Sequence, residues 1–105
     1  MRLLNTLRKP IVIEVVFSNN ATKHLIKQAQ YIFERTQSEA QTDQYLDKMK
    51  HYIVEILSHF PFSGRPSDEI STNTRKLVYQ GYSIIYKITP KRAEILMIYR
   101  ENLPA

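Results

Sequence analysis

The sequence predicts an α+β domain in which a helical hairpin packs on one face of a mainly antiparallel four-stranded sheet. Three observations lead to this fold class. A β-branched apolar run comes first, two long stretches with helical periodicity follow, and three strand patterns joined by short links close the chain. The element order is therefore β-α-α-β-β-β. We expect an N-terminal arm over residues 1–10 and a single domain over residues 11–105.

Composition narrows the class of protein. The 105 residues are 43% hydrophobic and 24% charged, which is ordinary for a globular domain with a real core. There is no cysteine, so disulfides, thiolate zinc sites and cysteine nucleophiles are excluded. The basic and apolar start of the chain is interrupted by Glu14, and no run approaches the roughly 20 apolar residues of a membrane span, so we expect a cytoplasmic protein.

The first strand is predicted over Ile11 to Phe17, a mostly β-branched run, with Pro10 before it where a missing N–H does little harm. Ser18 then offers a side-chain oxygen that caps a helix. That helix is predicted to run to about residue 34 or 35, because one face repeats at three and four positions: Ala21, Leu25, Ala29, Ile32 and Thr36.

A second helix is predicted to begin at the capping-box pattern of Ser38 and Gln41. Its apolar stripe again repeats at three and four positions: Leu46, Met49, Ile53, Ile56, Leu57 and Phe60. Pro61 ends the helix, because the residue before a proline disfavours helical geometry. The link between the two helices is short, which predicts an antiparallel hairpin.

Residues 62–74 have almost no apolar periodicity and are predicted to form an irregular loop. Three strands follow near residues 75–80, 82–89 and 93–100, and their short links make them antiparallel neighbours. In the middle strand Tyr82, Ile84, Tyr86 and Ile88 alternate with Ser83, Ile85 and Lys87. The first set is predicted to face the helices.

The candidate functional side chains are basic and aromatic. The net charge of +5 favours anionic partners. Two isolated glycines cannot build a phosphate-binding loop, and His24, His51 and His59 lack the spacing of a metal site. The remaining cations, Arg65, Arg75 and Arg100 among them, either form a binding patch or pair with Asp68, Glu69 or Glu101.

Several features in this order resemble the ParE/RelE superfamily of toxins from bacterial type II toxin–antitoxin modules, over about residues 12–100. They are the helix start from Ser18 to Leu25, Pro61 with Ser63-Gly64-Arg65 and the acidic Glu69, Arg75 seven residues before Tyr82, the strand from Tyr82 to Tyr86, and the closing strand that ends in Tyr99-Arg100. The resemblance implies a small basic toxin held inactive by a cognate antitoxin, with no cofactor, metal or small-molecule substrate.

The superfamily offers two activities. RelE-like members cut mRNA on the ribosome, which needs an acid–base pair and cations around the scissile phosphate. Here that set would be Arg65, Arg75, Tyr99 and Arg100. RelE-like proteins typically place lysines in the loop after the second helix and a Tyr or His near the C-terminus, and this chain has neither in register. Strand alternation also points Tyr99 and Arg100 to opposite faces.

ParE-like members poison DNA gyrase and block replication, and they carry no nuclease set. The helical hairpin and the Pro-x-Ser-Gly-Arg turn are similar to theirs. The resemblance therefore implies a gyrase inhibitor that is not an enzyme, with target-binding residues Arg65, Arg75, Lys87 and Arg100. The alternatives are a ribosome-dependent endoribonuclease and a degenerate, non-toxic module that only binds antitoxin. An exposed sheet edge and a helical groove suit an antitoxin that adds a strand or a helix.

Overall fold

The computed structural model describes residues 12–67 and 71–101. Its elements are β1 (Glu14–Phe17), α1 (Asn19–Thr36), α2 (Glu39–His59), β2 (Arg65–Pro66), β3 (Thr74–Tyr79), β4 (Tyr82–Ile88) and β5 (Arg92–Arg100). The predicted α+β fold is confirmed. The predicted N-terminal arm, together with Asp68 and Glu69, lies outside the described residues. Neither described helix is long and apolar enough to cross a membrane.

The sheet has five strands in the order β1-β5-β4-β3-β2. Only β1 and β5 pair in parallel, and the other neighbours are antiparallel. The fifth strand is β2, which lies within the predicted loop, where Arg65 pairs with Lys76 and Pro66 with Arg75. Two residues are too short to produce a periodic pattern, so the sequence did not reveal this strand.

Both helix starts follow the predicted caps. The Oγ of Ser18 accepts a hydrogen bond from the Ala21 N–H at 3.0 Å, and the Oγ of Ser38 accepts one from the Gln41 N–H at 3.1 Å. Gln37 ends α1 in the left-handed conformation, with φ 55°, and donates its N–H to the Phe33 carbonyl. This single left-handed residue reverses the chain into the hairpin.

The two helices cover one face of the sheet with the predicted apolar stripes. The fully or nearly fully buried members are Ala21, Leu25, Ile32, Met49, Ile53 and Leu57. The assignment of Phe60 to this stripe was wrong. Its side chain is 64% exposed, because α2 ends at His59 and the following turn carries Phe60 away from the core.

Within the described residues the first strand begins at Glu14, after Val12 and Ile13, which were predicted to belong to it; Ile11 lies outside the described residues. The backbone explains the later start. The N–H of Ile13 donates to the carbonyl of Ser58 at the end of α2, at 3.0 Å, so this part of the chain bonds to the helix before the sheet. Pairing with β5 begins at Glu14, opposite Arg92.

The predicted alternation of β4 is confirmed, and it defines two faces of the sheet. The inner face, covered by the helices, carries Tyr82, Ile84 and Tyr86. The outer face carries Ser83, Ile85 and Lys87 together with their cross-strand partners. Leu96 forms a bulge in β5, because Ile85 pairs with Met97 whereas Tyr86 pairs with Ile95.

The Ser18 cap yields the first prediction. Ser18→Ala removes the acceptor for the Ala21 N–H, and such a loss costs about 1 kcal/mol of the free energy of unfolding. Urea denaturation followed by circular dichroism measures it. Ser71→Ala is the control, since that exposed hydroxyl donates to the neighbouring Thr72 carbonyl and caps neither described helix, and we expect a change within about 0.5 kcal/mol. Equal losses in both variants would contradict the cap.

Candidate target-binding surface

The turn after α2, residues 61–65, is held to the central strand by one tyrosine hydroxyl. The Tyr86 hydroxyl donates to the Pro61 carbonyl at 2.7 Å and accepts from the Gly64 N–H at 2.9 Å. Burial raises the pKa of Tyr86, so the hydroxyl keeps the proton that it donates. A Cβ on Gly64 would stand 2.7 Å from that hydroxyl and 2.8 Å from the Lys76 carbonyl. The glycine of the turn is therefore required by close packing.

Arg75 also stabilises this turn, by hydrogen bonds to its backbone carbonyls. Its Nε donates to the Gly64 carbonyl at 2.7 Å and one terminal nitrogen donates to the Phe62 carbonyl at 3.3 Å. The guanidinium also lies 5.2 Å from the centroid of the Phe62 ring. Two of the hydrogen-bond donors of this predicted target-binding residue therefore stabilise the fold.

Arg65 and Lys87 lie on the outer face and are exposed. Arg65 stands opposite Lys76 on β3, and Lys87 stands between Thr74 of β3 and the acidic Glu94 of β5. Two of the four predicted target-binding residues thus share one open basic surface, which we call the outer basic surface and define by Arg65 and Lys87.

A shielded ion pair lies next to that surface. The Nζ of Lys76 is 2.7 Å from a carboxylate oxygen of Glu101, and the Lys76 side chain is only 7% exposed. Ser83 donates its hydroxyl to the same oxygen. Hydrogen bonds from Lys76 and then from Ser83 hold the pKa of Glu101 below its ordinary value. Glu101 is therefore the partner of Lys76, and within the described residues no arginine is ion-paired to it.

Arg100 lies on the inner face, opposite Tyr82, whereas Tyr99 lies on the outer face, opposite Ser83. The predicted separation of these two side chains is confirmed. The guanidinium of Arg100 lies 4.3 Å from the centroid of the Tyr31 ring on α1. Hydrogen bonding and charge from Arg100 lower the pKa of the Tyr31 hydroxyl. Tyr31 was not predicted as a functional residue, because it lies off the apolar stripe of α1.

The four predicted cations therefore do not form one patch. Arg65 and Lys87 share the outer face, Arg75 is bound into the turn, and Arg100 lies against α1. Strand register places Arg75 level with Tyr86 and Arg100 level with Tyr82, at opposite ends of β4.

Tyr82 of the core and the half-buried His24 both have structural hydrogen-bond partners. Tyr82 donates its hydroxyl to the side-chain oxygen of the buried Gln28 at 3.2 Å, and burial, with a smaller effect of Tyr45, raises the pKa of Tyr82 to about 12. The Nδ1 of His24 accepts the Ile98 N–H at 3.1 Å. Within residues 12–67 and 71–101, no group of three His, Asp or Glu side chains is placed to hold a metal ion.

A groove of about 980 Å³ runs beside the turn. Its walls include Phe62, Pro66, Arg75, Ile88 and Pro90. Phe62 is 68% exposed at its rim. The walls also include the polar side chains of Thr72, Asn73 and Thr89. A groove of mixed character with an exposed aromatic side chain is suited to binding part of another protein.

Comparisons with known proteins indicate the same family that the sequence resembles. The family model described as "ParE toxin of type II toxin-antitoxin system, parDE" matches residues 15–101. No curated protein matches the chain. Among solved structures, a chromosomal ParDE toxin–antitoxin system from P. aeruginosa is similar with a TM-score of 0.71 and 13% identity, over 87% of this chain and 98% of that one. The RelBE2 toxin–antitoxin complex from Mycobacterium tuberculosis is similar with a TM-score of 0.66 and 20% identity, over 89% and 95%.

The close packing of the turn yields the second prediction. Gly64→Ala forces its methyl group against a backbone carbonyl and the Tyr86 hydroxyl, and we expect a loss of about 2–3 kcal/mol in the free energy of unfolding. Gly81→Ala is the matched control. Gly81 has φ 85° with open space around it, so only backbone strain of about 1 kcal/mol is added. A smaller loss for Gly64→Ala than for Gly81→Ala would contradict the packing.

The third prediction concerns pH. The folded-state pKa of Glu101 lies below the ordinary 4.5, so its stabilising contribution is present above that pH and is lost as the pH falls through the folded value. The stability difference between the native chain and Glu101→Gln should therefore shrink between about pH 7 and about pH 2. Urea titrations at several pH values measure it, with the exposed Glu34→Gln as control. A difference that is independent of pH would overturn the assignment.

Proposed function

The chain belongs to the ParE toxin family of type II toxin–antitoxin systems, and from that membership we propose that it inhibits DNA gyrase, blocks replication and is neutralised by a cognate antitoxin. It acts in the cytoplasm, where gyrase and its DNA are found. The gyrase target is what the resemblance to ParE-like toxins implies, and the features below support it over the ribosome.

The observation that carries the proposal is the arrangement of the arginines relative to groups that transfer protons. Cleavage of RNA at the 2′-OH needs an acid and a base whose pKa values lie near the working pH. The pKa of Tyr82, at about 12, is far from that range, and the Tyr82 hydroxyl is bonded to Gln28. Tyr86 is bonded into the turn. Tyr99 lies on the face opposite Arg100.

The remaining cations support binding better than catalysis. Arg75 donates to two backbone carbonyls of the turn, and Lys76 is paired with Glu101. In the described part of the chain, Arg75 and Arg100 lie on the face of the sheet opposite Tyr99, the proton-transfer candidate of the predicted nuclease set. Arg65 and Lys87 are exposed on one face, and their charge supports contact with an anionic surface of gyrase or its DNA.

Neutralisation by an antitoxin is supported by a second surface. The groove beside the turn is lined by both apolar and polar side chains, and Phe62 in its wall is 68% exposed. Both structural relatives were solved as toxin–antitoxin systems or complexes. An acidic antitoxin segment with apolar residues fits the groove and the net charge of +5.

The fourth prediction tests the target. The purified chain should inhibit ATP-dependent supercoiling by gyrase, because the outer basic surface contacts the enzyme or its DNA. The double variant Arg65→Glu and Lys87→Glu should require roughly tenfold more protein for the same inhibition, since two exposed charge contacts of about 0.7 kcal/mol each add up to the ~1.4 kcal/mol that a tenfold change represents. Lys27→Glu with Lys50→Glu is the control, with the same charge change on exposed helix positions.

The same preparations are incubated with mRNA stalled on ribosomes and are expressed in bacteria with and without antitoxin. Intact mRNA, together with growth arrest and a DNA-damage response, supports gyrase inhibition. Cleaved mRNA with unchanged supercoiling would establish the ribonuclease instead. Normal growth with tight antitoxin binding and no effect on gyrase would instead support a non-toxic module that only binds antitoxin.

A further inference from the structure

A small recess lies between the C-terminal end of α1 and the ends of β4 and β5. Its volume is about 240 Å³. Its wall includes two arginines from different elements and tyrosines from both helices and β4. Its main members are Tyr31, Arg35, Thr36, Tyr45, Tyr82 and Arg100. This recess lies on the inner face, away from the outer basic surface.

Arg100 brings an unused hydrogen-bond donor to the recess. One terminal nitrogen of its guanidinium is buried and has no hydrogen-bond partner. The group is held in place because it stacks on the Tyr31 ring, 4.3 Å from the centroid. A buried donor without an acceptor is uncommon in a folded protein, and such a group is available to a water molecule or an anion.

The recess is also electropositive. Arg35 lies 5.6 Å from the centroid of the Tyr31 ring, and its side chain is 3.4 Å from the Tyr31 hydroxyl, so two guanidinium groups approach one tyrosine. No aspartate or glutamate is among the lining residues. Within the described residues neither arginine has an ion pair. An anion in the recess would therefore reduce the repulsion between these cations.

Size and shape favour a carboxylate over a nucleic-acid phosphate. The volume lies below the roughly 300–1,000 Å³ of small-molecule sites, so it suits a single side chain. A backbone phosphate carries a sugar on each side and therefore needs more room than a single side chain does. A carboxylate at the end of an aliphatic stem can enter it, with Ile32 and the rings of Tyr45 and Tyr82 as walls for the stem. Arginine also binds carboxylates in a bidentate manner.

We propose that this recess binds an aspartate or glutamate side chain of an acidic protein partner, with Arg100 as the main contact and Arg35 as the second. The proposal rests on the proposed function only in taking that partner to be the antitoxin. Binding to the recess is measured on the isolated chain, without gyrase or antitoxin. Absence of gyrase inhibition and absence of carboxylate binding are therefore distinguishable results.

The experiment is an NMR titration of the full ¹⁵N-labelled chain with N-acetyl-glutamate N-methylamide, followed at the side-chain Nε–H signals of Arg35 and Arg100. The glutamine analogue is the neutral ligand of the same shape. Inorganic phosphate and a short DNA duplex are titrated in parallel. Arg100→Met removes the main contact. Arg92→Met is the matched control, because it makes the same charge change at an exposed arginine that is 3.6 Å from Glu14.

We expect saturable shifts with the glutamate compound, none with the glutamine compound, at least roughly tenfold weaker binding in Arg100→Met, and unchanged binding in Arg92→Met. If Arg100→Met does not fold, Arg35→Met, at an exposed helix position, must weaken binding instead. Equal binding of the glutamine compound, equal effects of Arg100→Met and Arg92→Met, or tighter binding of phosphate or DNA at these signals would overturn the proposal.

Discussion

The hydroxyl of Tyr86 joins the end of α2, the turn and the central strand at one point. It donates to the Pro61 carbonyl and accepts from the Gly64 N–H, so both hydrogen-bonding directions of the phenol are used. The turn must pass within contact distance of the ring, and this excludes a Cβ at position 64. The position of β2 beside β3, and hence of Arg65 on the outer face, depends on this contact.

The division of cations between the two faces follows from strand register and one bulge. Arg75 and Arg100 share the inner face, Lys76 and Lys87 share the outer face, and Leu96 shifts the alternation of β5 by one residue. Without the bulge, Ile95 and Ile98 would point to opposite faces, because they are three residues apart. With it, both lie in the core, and Arg100, two residues beyond Ile98, is directed to α1.

The sequence predicted the elements whose signals are local. Helix caps at Ser18 and Ser38 and the alternation of β4 are read from a few neighbouring residues, and the structure confirms them. It did not predict β2, whose two residues have no periodicity, or the exposure of Phe60, which depends on where α2 ends. It also did not predict the pairing of Lys76 with Glu101, since this contact joins β3 to the residue after β5.

Net charge alone does not say which cations are available to a partner. Arg75 satisfies carbonyls of the turn and Lys76 neutralises a carboxylate, so both contribute to the fold. Arg100 differs from them, because its ring stacking fixes the guanidinium while one buried nitrogen lacks an acceptor. An arginine that is already ordered loses less side-chain entropy on binding than a free surface arginine does. The preorganised guanidinium of Arg100 is therefore a better recognition element than the exposed side chains of Arg65 and Lys87 on the outer basic surface.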